Sequence, residues 1–363
     1  MDRTEWQSKH QKECYLPLAK AYLEEALEYT CLHAAKIHQE LISQLNTFLI
    51  SLSAFQERGK LGAVENISIS FLYTSLICGR PCFLFEVYPS LPFLDNALVT
   101  REFSVSWMFR EWGEFLERVR QETGKKGMNT VIRMPYIRSK AMGTARLVVQ
   151  LMFTLIKYHF YEIEGMESYQ KLKKTESFVL SFGEYYDWQK PLLAIKQEVD
   201  IFQCEKEEDL RFCRFAKKWY EQKEFLKLAL DDCRFMECTF MDSTFVESSF
   251  RDTWFVGCLF KNCELSHLLL QGARFDGCVF EQVNFSGIKT PTFLPGVEEV
   301  RGFWGMTEFI SCSFSDVKIT LSDFSASLFR DCRSEGVEIV ESILPDCFGE
   351  SKKEEKGEEV EVF

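Results

Sequence analysis

Fourteen cysteines and five histidines are the side chains of this 363-residue chain best suited to bind metal or attack an electrophile. Their spacing gives little support to either chemistry. His33 and His38 are five positions apart, which places them about 140° apart around a helix and makes a shared metal improbable. Cys78 and Cys82 flank a turn at CxxxC spacing, where packing or a cross-strand pair is the simpler reading. The sequence has no CxxC pair and no Walker loop, GxGxxG, GxSxG or HExxH motif. With histidines only at 10, 33, 38, 159 and 267, triad chemistry has few candidates. No catalytic, metal or cofactor-binding residue is assigned, and no cofactor is expected.

Half of the cysteines have a positional explanation instead. From Leu230, every fifth residue is large and apolar: Leu230, Phe235, Phe240, Phe245, Phe250, Phe255, Phe260, Leu265, Leu270, Phe275, Phe280 and Phe285. The phase breaks over 286–308, resumes at Phe309, Phe314, Ile319, Phe324 and Phe329, fails at Ser334, and returns at Ile339 and Leu344. Two residues before each large position stands a mostly small one, and seven of these are Cys233, Cys238, Cys258, Cys263, Cys278, Cys312 and Cys332. A period of five matches neither a helix nor a long strand. It fits a coil that turns a corner every five residues, with one large and one small side chain inward per side. Residues twenty apart then stack, and Cys238, Cys258 and Cys278 form an inward ladder of thiols that behave as small hydrophobes.

The pattern of small residue, any residue, Phe or Leu, then two more resembles the pentapeptide-repeat family over about residues 228–345. The resemblance implies an all-β right-handed quadrilateral β-helix, four units per coil, with about five coils and a length of ~24 Å. The chain departs from the family in using Cys, Ser and Thr more than Ala at the small position, and in its 23-residue break. The reading is therefore an α+β N-terminal domain over 1–204, a capping helix over 205–229, the β-helix over 230–345 with an insertion at 286–308, and a disordered acidic tail over 346–363.

Outward positions are where such a rod would meet a partner. The last residue of the first five units is acidic: Asp232, Glu237, Asp242, Glu247 and Asp252. This places a carboxylate ring on the first coil, read either as a charged cap against end-to-end strand pairing or as a dock for a basic partner. Trp254 falls between Arg234 and Arg274 on one face, with Met236 and Val256 beside it and Leu259 on the next face. A Trp flanked by Arg in an apolar patch is interface-like, facing either another protein or the chain's own N-terminal domain.

Residues 16–57 have helical periodicity, 67–89 read as a hairpin around Gly79-Arg80-Pro81, and a third strand, two helices and a short apolar stretch follow. Within this domain Arg118, Arg120, Lys125, Lys126, Arg133, Arg138, Lys140 and Arg146 form a basic stretch. It is read as a solvated loop, as a dock for the acidic first coil, or as a phosphate contact. Net charge is +1 over 1–229, −9 over 230–345 and −4 over 346–363, which lowers the expectation of nucleic-acid binding.

The charged start has no apolar segment after it, so the expectation is a cytoplasmic protein with reduced thiols and no membrane partner. The family's distribution suggests a bacterial source. The leading functional reading is a non-enzymatic scaffold that binds a protein partner. The alternatives are a DNA mimic that protects or inhibits gyrase, a role some members of the family have, and an enzyme or accessory factor with activity in 1–204.

Overall fold

The computed structural model describes residues 2–89, 96–158, 160–196, 199–203, 209–290, 306–345 and 348. The chain divides into two units, Met1–Ile195 and Lys196–Phe363. Among the described residues, no helix is long and apolar enough to cross a membrane.

The first unit opens with α1 (Arg3–His10), held by a capping box in which Asp2 and Glu5 each accept the other's backbone N–H at 2.8 Å. A π-helical turn leads into α2 (Leu16–Leu32), which carries Pro17 in its first turn. The backbone breaks at His33 (φ −117°), and α3 (Ala34–Glu57) follows, so the periodic stretch 16–57 is two helices. Strand β1 (Val64–Phe71) pairs antiparallel with β2 (Cys82–Tyr88), and β2 with β3 (Val99–Ser104). The β1–β2 connection is longer than a tight hairpin turn. It contains a short helix, α4 (Tyr73–Ile77), and closes through Gly79 at φ +72°.

Helices α5 (Trp112–Lys125) and α6 (Met134–Tyr158) carry the chain across to β4 (Lys174–Glu184), which joins β1 in parallel, and β5 (Gln189–Ala194) adds an outer strand. The sheet order is β3-β2-β1-β4-β5. Strand alternation sorts its two faces. Phe83, Phe85 and Phe182 are buried on one side, where Phe85 meets Phe48 of α3 at 5.5 Å and Phe182 meets Phe153 of α6 at 5.9 Å. Asn66, Ser68, Ser70, Glu86, Tyr88 and Ser181 lie on the other and are buried although polar.

The second unit is a β-helix. Three parallel sheets have six strands each, and the fourth side is joined by the bridges Ala229↔Ser249↔Leu269 and Lys289↔Asp323↔Ile343. Pairing is in register at every step: Arg234 meets Trp254, Trp254 meets Arg274, and Val279 meets Ser313 across the break. The large inward residues stack as near-parallel rings, with centroids at 4.8 Å for Phe215–Phe235, 5.0 Å for Phe235–Phe255, 4.7 Å for Phe255–Phe275 and 4.8 Å for Phe275–Phe309.

Three expectations are corrected here. Residues 209–229 are not a capping helix; they are the first coil of the β-helix, with strands at Arg214–Ala216, Trp219–Glu221 and Glu224–Leu226. Phe215, Tyr220 and Phe225 fill its inward positions. Its lower end is covered instead by Ile201 and by Phe202, whose ring lies 5.9 Å from Tyr220 and 5.1 Å from Phe225. There are consequently six coils, not five, and a length of ~29 Å at a strand spacing of ~4.8 Å. The inserted segment is narrower than 286–308, because Ser286 ends a strand, Lys289 bridges Asp323 and Glu308 begins the next strand. Residues 291–305 and most of the tail over 346–363 lie outside the described residues, and Phe348 packs edge-on against Phe314 and Phe329.

Phe255→Ala removes a ring stacked on both sides inside this column. It should cost about 3–5 kcal/mol, measured by urea unfolding followed through the β-helix signal.

Candidate functional site

The outward side chains of one sheet of the β-helix form two lanes. Arg214, Arg234, Trp254, Arg274, Glu308 and Leu328 occupy one; Ala216, Met236, Val256, Asp276, Ile310 and Arg330 occupy the other. In-register stacking places Trp254 between two guanidinium groups, with Arg234 Cζ 5.6 Å and Arg274 Cζ 4.9 Å from its ring centroid. This is cation–π packing on both faces of one indole. Arg274 also reaches Asp276 at 3.4 Å along its own strand. Met236 is 47% exposed beside this stack. On the adjacent sheet Leu259 aligns with Val279.

The acidic positions are corners. Asp232, Glu237, Asp242, Glu247 and Asp252 all have left-handed backbone, φ 51° to 60°. Short polar residues and glycine tolerate that conformation best, which accounts for Asp at three of the five and for Gly257, Gly272 and Gly277 at later corners. The side chains lean toward neighbouring coils. A Cβ added at Gly272 would lie 2.2 Å from Asp252 Oδ1, and the Asn262 amide donates to Asp242. Since coil 210–229 comes first, Asp232, Glu237, Asp242 and Glu247 belong to the second coil, and Asp252, one coil step above Asp232, begins the third. The first coil's corners carry Lys217 and Lys227, which bridge Glu237 at 3.6 Å and Glu247 at 3.3 Å.

The basic stretch is divided between α5, the turn before α6 and α6 itself. Arg118, Arg120, Lys125 and Lys126 face carboxylates of their own unit, Glu25, Glu117, Glu122 and Glu13. The Glu117 carboxyl is held below its usual range by its hydrogen bonds from Arg120. Arg146 forms the most structured of these contacts. Its guanidinium donates to buried Glu184 at 3.0 and 2.9 Å and to Asp187 at 2.6 Å, while Trp188 Nε1 donates to Glu184 at 2.6 Å. Hydrogen bonding to Glu184 raises the Arg146 pKa.

Lys140 Nζ sits 5.7 Å from the Tyr136 ring, and exposed Arg133 lies just before α6. Arg138 lines a cleft of about 320 Å³ walled by Leu76, Ile77, Phe109, Trp112 and Met142.

The thiols form a longer column than the three predicted. Cys238, Cys258, Cys278 and Cys312 are buried and Cys332 is half-buried. Each Sγ donates to the backbone carbonyl of the coil below, at 3.3 Å for Cys238 to Phe215 and 3.4 Å for Cys278 to Phe255. Burial pushes the Cys278 thiol well up, and that of Cys233 likewise. His33 and His38 point to different partners, His33 to the Tyr29 carbonyl at 2.9 Å and His38 to Glu162 at 2.8 Å. No group of three or more His, Cys, Asp or Glu among the described residues is arranged to hold a metal.

Residues 228–294 match the family model described as "Pentapeptide repeat region". No curated protein matches the chain. Among solved structures, HetL, a pentapeptide repeat protein involved in heterocyst differentiation regulation from the cyanobacterium Nostoc sp. strain PCC 7120, aligns at 13% identity and a TM-score of 0.33 over 37% of this chain and 56% of HetL. The chain thus spans little more than half of that relative. Rfr23, from the cyanobacterium Cyanothece 51142, aligns at 9% identity and 0.12 over 36% of this chain and 88% of its own. QnrB1, a plasmid-mediated fluoroquinolone resistance protein, aligns at 14% identity and 0.16 over 37% of this chain and 87% of its own.

Two outcomes follow. In the native chain a maleimide should label exposed Cys78 quickly and leave Cys233 and Cys278 unmodified until unfolding, read by peptide mass spectrometry. Arg146→Ala should destabilise the first unit by about 3 kcal/mol, because Glu184 then stays buried without its cation; calorimetric melting measures this.

Proposed function

We propose that the pentapeptide-repeat β-helix in the C-terminal part of this chain is a protein-binding rod, and that the protein acts as a non-enzymatic scaffold. Its recognition face is the sheet of Arg234, Trp254 and Arg274, with Met236 and Val256 in the next lane and Leu259 around the corner. The observation that carries this reading is the Arg–Trp–Arg stack. It presents a rigid aromatic anchor with apolar neighbours, the composition enriched at the centre of interfaces. The inward thiols and rings, by contrast, are taken up by packing.

A second reading, mimicry of DNA toward gyrase, is favoured by the net charge of −9 over residues 230–345. The lysine and asparagine partners of Glu237, Glu247 and Asp242 weaken the continuous negative face that such mimicry requires.

Trp254→Ala and Met236→Asp should each reduce capture of the partner from native lysate by at least about tenfold, an anchor's worth of ~1.4 kcal/mol or more. Melting should be unchanged. Equal capture of the same protein by both variants and the parent chain contradicts the assignment. Gyrase in the captured fraction, together with inhibited supercoiling in vitro, selects the second reading.

A further inference from the structure

Three segments of the first unit border the cleft of about 320 Å³. The end of α4 and the turn after it form one side, residues 106–109 with the start of α5 a second, and α6 the third. The first two sides are tied together, because the Val105 N–H donates to the Pro81 carbonyl at 2.9 Å. Phe109 and Trp112 make a fixed wall. Both are buried, with ring centroids 5.6 Å apart and planes at 80°, and Trp112 packs further on Tyr22 and Phe115 at 5.5 and 5.4 Å. Leu116 of α5 and Met142 of α6 extend the apolar lining. Gly113 lines the cleft from the first turn of α5. Glycine is a poor helix former, and a Cβ at Gly113 would meet nothing within 4 Å. No clash calls for it there, and its missing side chain leaves the cleft open.

The charge on this lining has one sign. Among the described residues, Arg138 is the one ionisable side chain that lines the cleft, and Ser106 adds a hydroxyl. Glu111 and Glu114 adjoin Trp112 and Gly113 in sequence but are exposed and do not line it. Arg138 is itself exposed and makes no ion pair among the described residues. Other cations of the same stretch behave differently. Arg118, Arg120, Lys125 and Lys126 face carboxylates of this unit, and Arg146, further along α6, holds Glu184. A guanidinium with no internal carboxylate, set on an apolar cleft, offers a planar fork of N–H donors that matches a carboxylate in geometry and charge.

We propose that this cleft binds a small apolar carboxylate, its tail against Phe109, Trp112, Leu116 and Met142 and its charge on Arg138. An apolar pocket with a few convergent polar groups is the common form of a small-molecule site. At ~30 Å³ for each heavy-atom group, the volume of a water, the cleft has room for about ten. That suits a medium-chain acid and is too small for a peptide segment. Cations are repelled by Arg138, short acids forgo the apolar wall, and neutral amides forgo the ion pair. The site lies wholly in the first unit and does not rest on the reading of the β-helix face.

Calorimetric titration of the full chain with octanoate, an acid of this size, tests the proposal. One saturable site per chain is expected. Octanoate should bind at least about tenfold tighter than octanamide, which has the size without the charge, and than acetate, which has the charge without the tail (~1.4 kcal/mol in each case). Arg138→Gln should weaken octanoate by about the same factor and leave octanamide unchanged, a split that lost packing would not produce. Arg138 is exposed, so this variant keeps the fold. Gly113→Leu, which puts a side chain into the open cleft, should weaken octanoate and octanamide alike; if it melts early, Arg138→Gln decides alone. The proposal is overturned by absence of octanoate saturation in the parent chain, by octanamide or acetate binding as tightly as octanoate, or by unchanged octanoate affinity in Arg138→Gln or in folded Gly113→Leu.

Discussion

In-register parallel stacking is the constraint from which the C-terminal part of this protein follows. Strands separated by about 4.8 Å force each side chain to lie directly over its counterpart in the coil below. Inside, this turns phenylalanines into a column of parallel rings at 4.6 to 5.0 Å, from Phe215 through Phe329. It also leaves space beside them only for small groups whose Sγ or Oγ can reach a carbonyl of the previous coil. Outside, the same stacking makes each surface feature a lane: Arg–Trp–Arg on one side, corner carboxylates along the edges.

The stacking also sorts chemistry from structure. A cysteine in a reduced chain invites metal or redox readings, but in the β-helix burial makes deprotonation costly, as the raised Cys278 and Cys233 thiols illustrate. The acidic corners are shaped by the same geometry. They adopt left-handed backbone before they act as charges, and their carboxylates are drawn into contacts with Lys217, Lys227 and Asn262. The proposed recognition face is built instead on the stacked tryptophan and its apolar lane.

The repeat was legible because period five survives in Phe235 through Phe285 without interruption, and the face of Trp254 followed from a twenty-residue stacking step. The first coil was missed for a physical reason. Leu210, Phe215, Tyr220 and Phe225 hold the large positions in phase, but Lys218 and Lys223 stand where small residues were required. At an end coil those positions need not be fully inward, and Lys223 is exposed with its ammonium 5.2 Å from the Phe202 ring. In the first unit, strand 174–184 could be read from its apolar run. The buried polar face of the sheet could not, because Ser68 is brought beside Ser181 by a parallel β1–β4 pairing across a hundred residues and beside Glu86 by the β1–β2 pairing. The partners of the basic stretch were not legible for the complementary reason: Glu25, Glu13 and Glu184 are distant in sequence.

The central claim is continuous stacking from the first coil through the break between Phe285 and Phe309. Nitroxide labels at cysteines replacing Trp219 and Ser313, with Cys78 changed to Ser, test it by pulsed electron resonance. These positions lie in one column, linked through Thr239, Leu259 and Val279. Four strand spacings predict a separation of about 19 Å, broadened only by the label arms. A broad distribution, or a separation well beyond that value, would contradict a single six-coil rod.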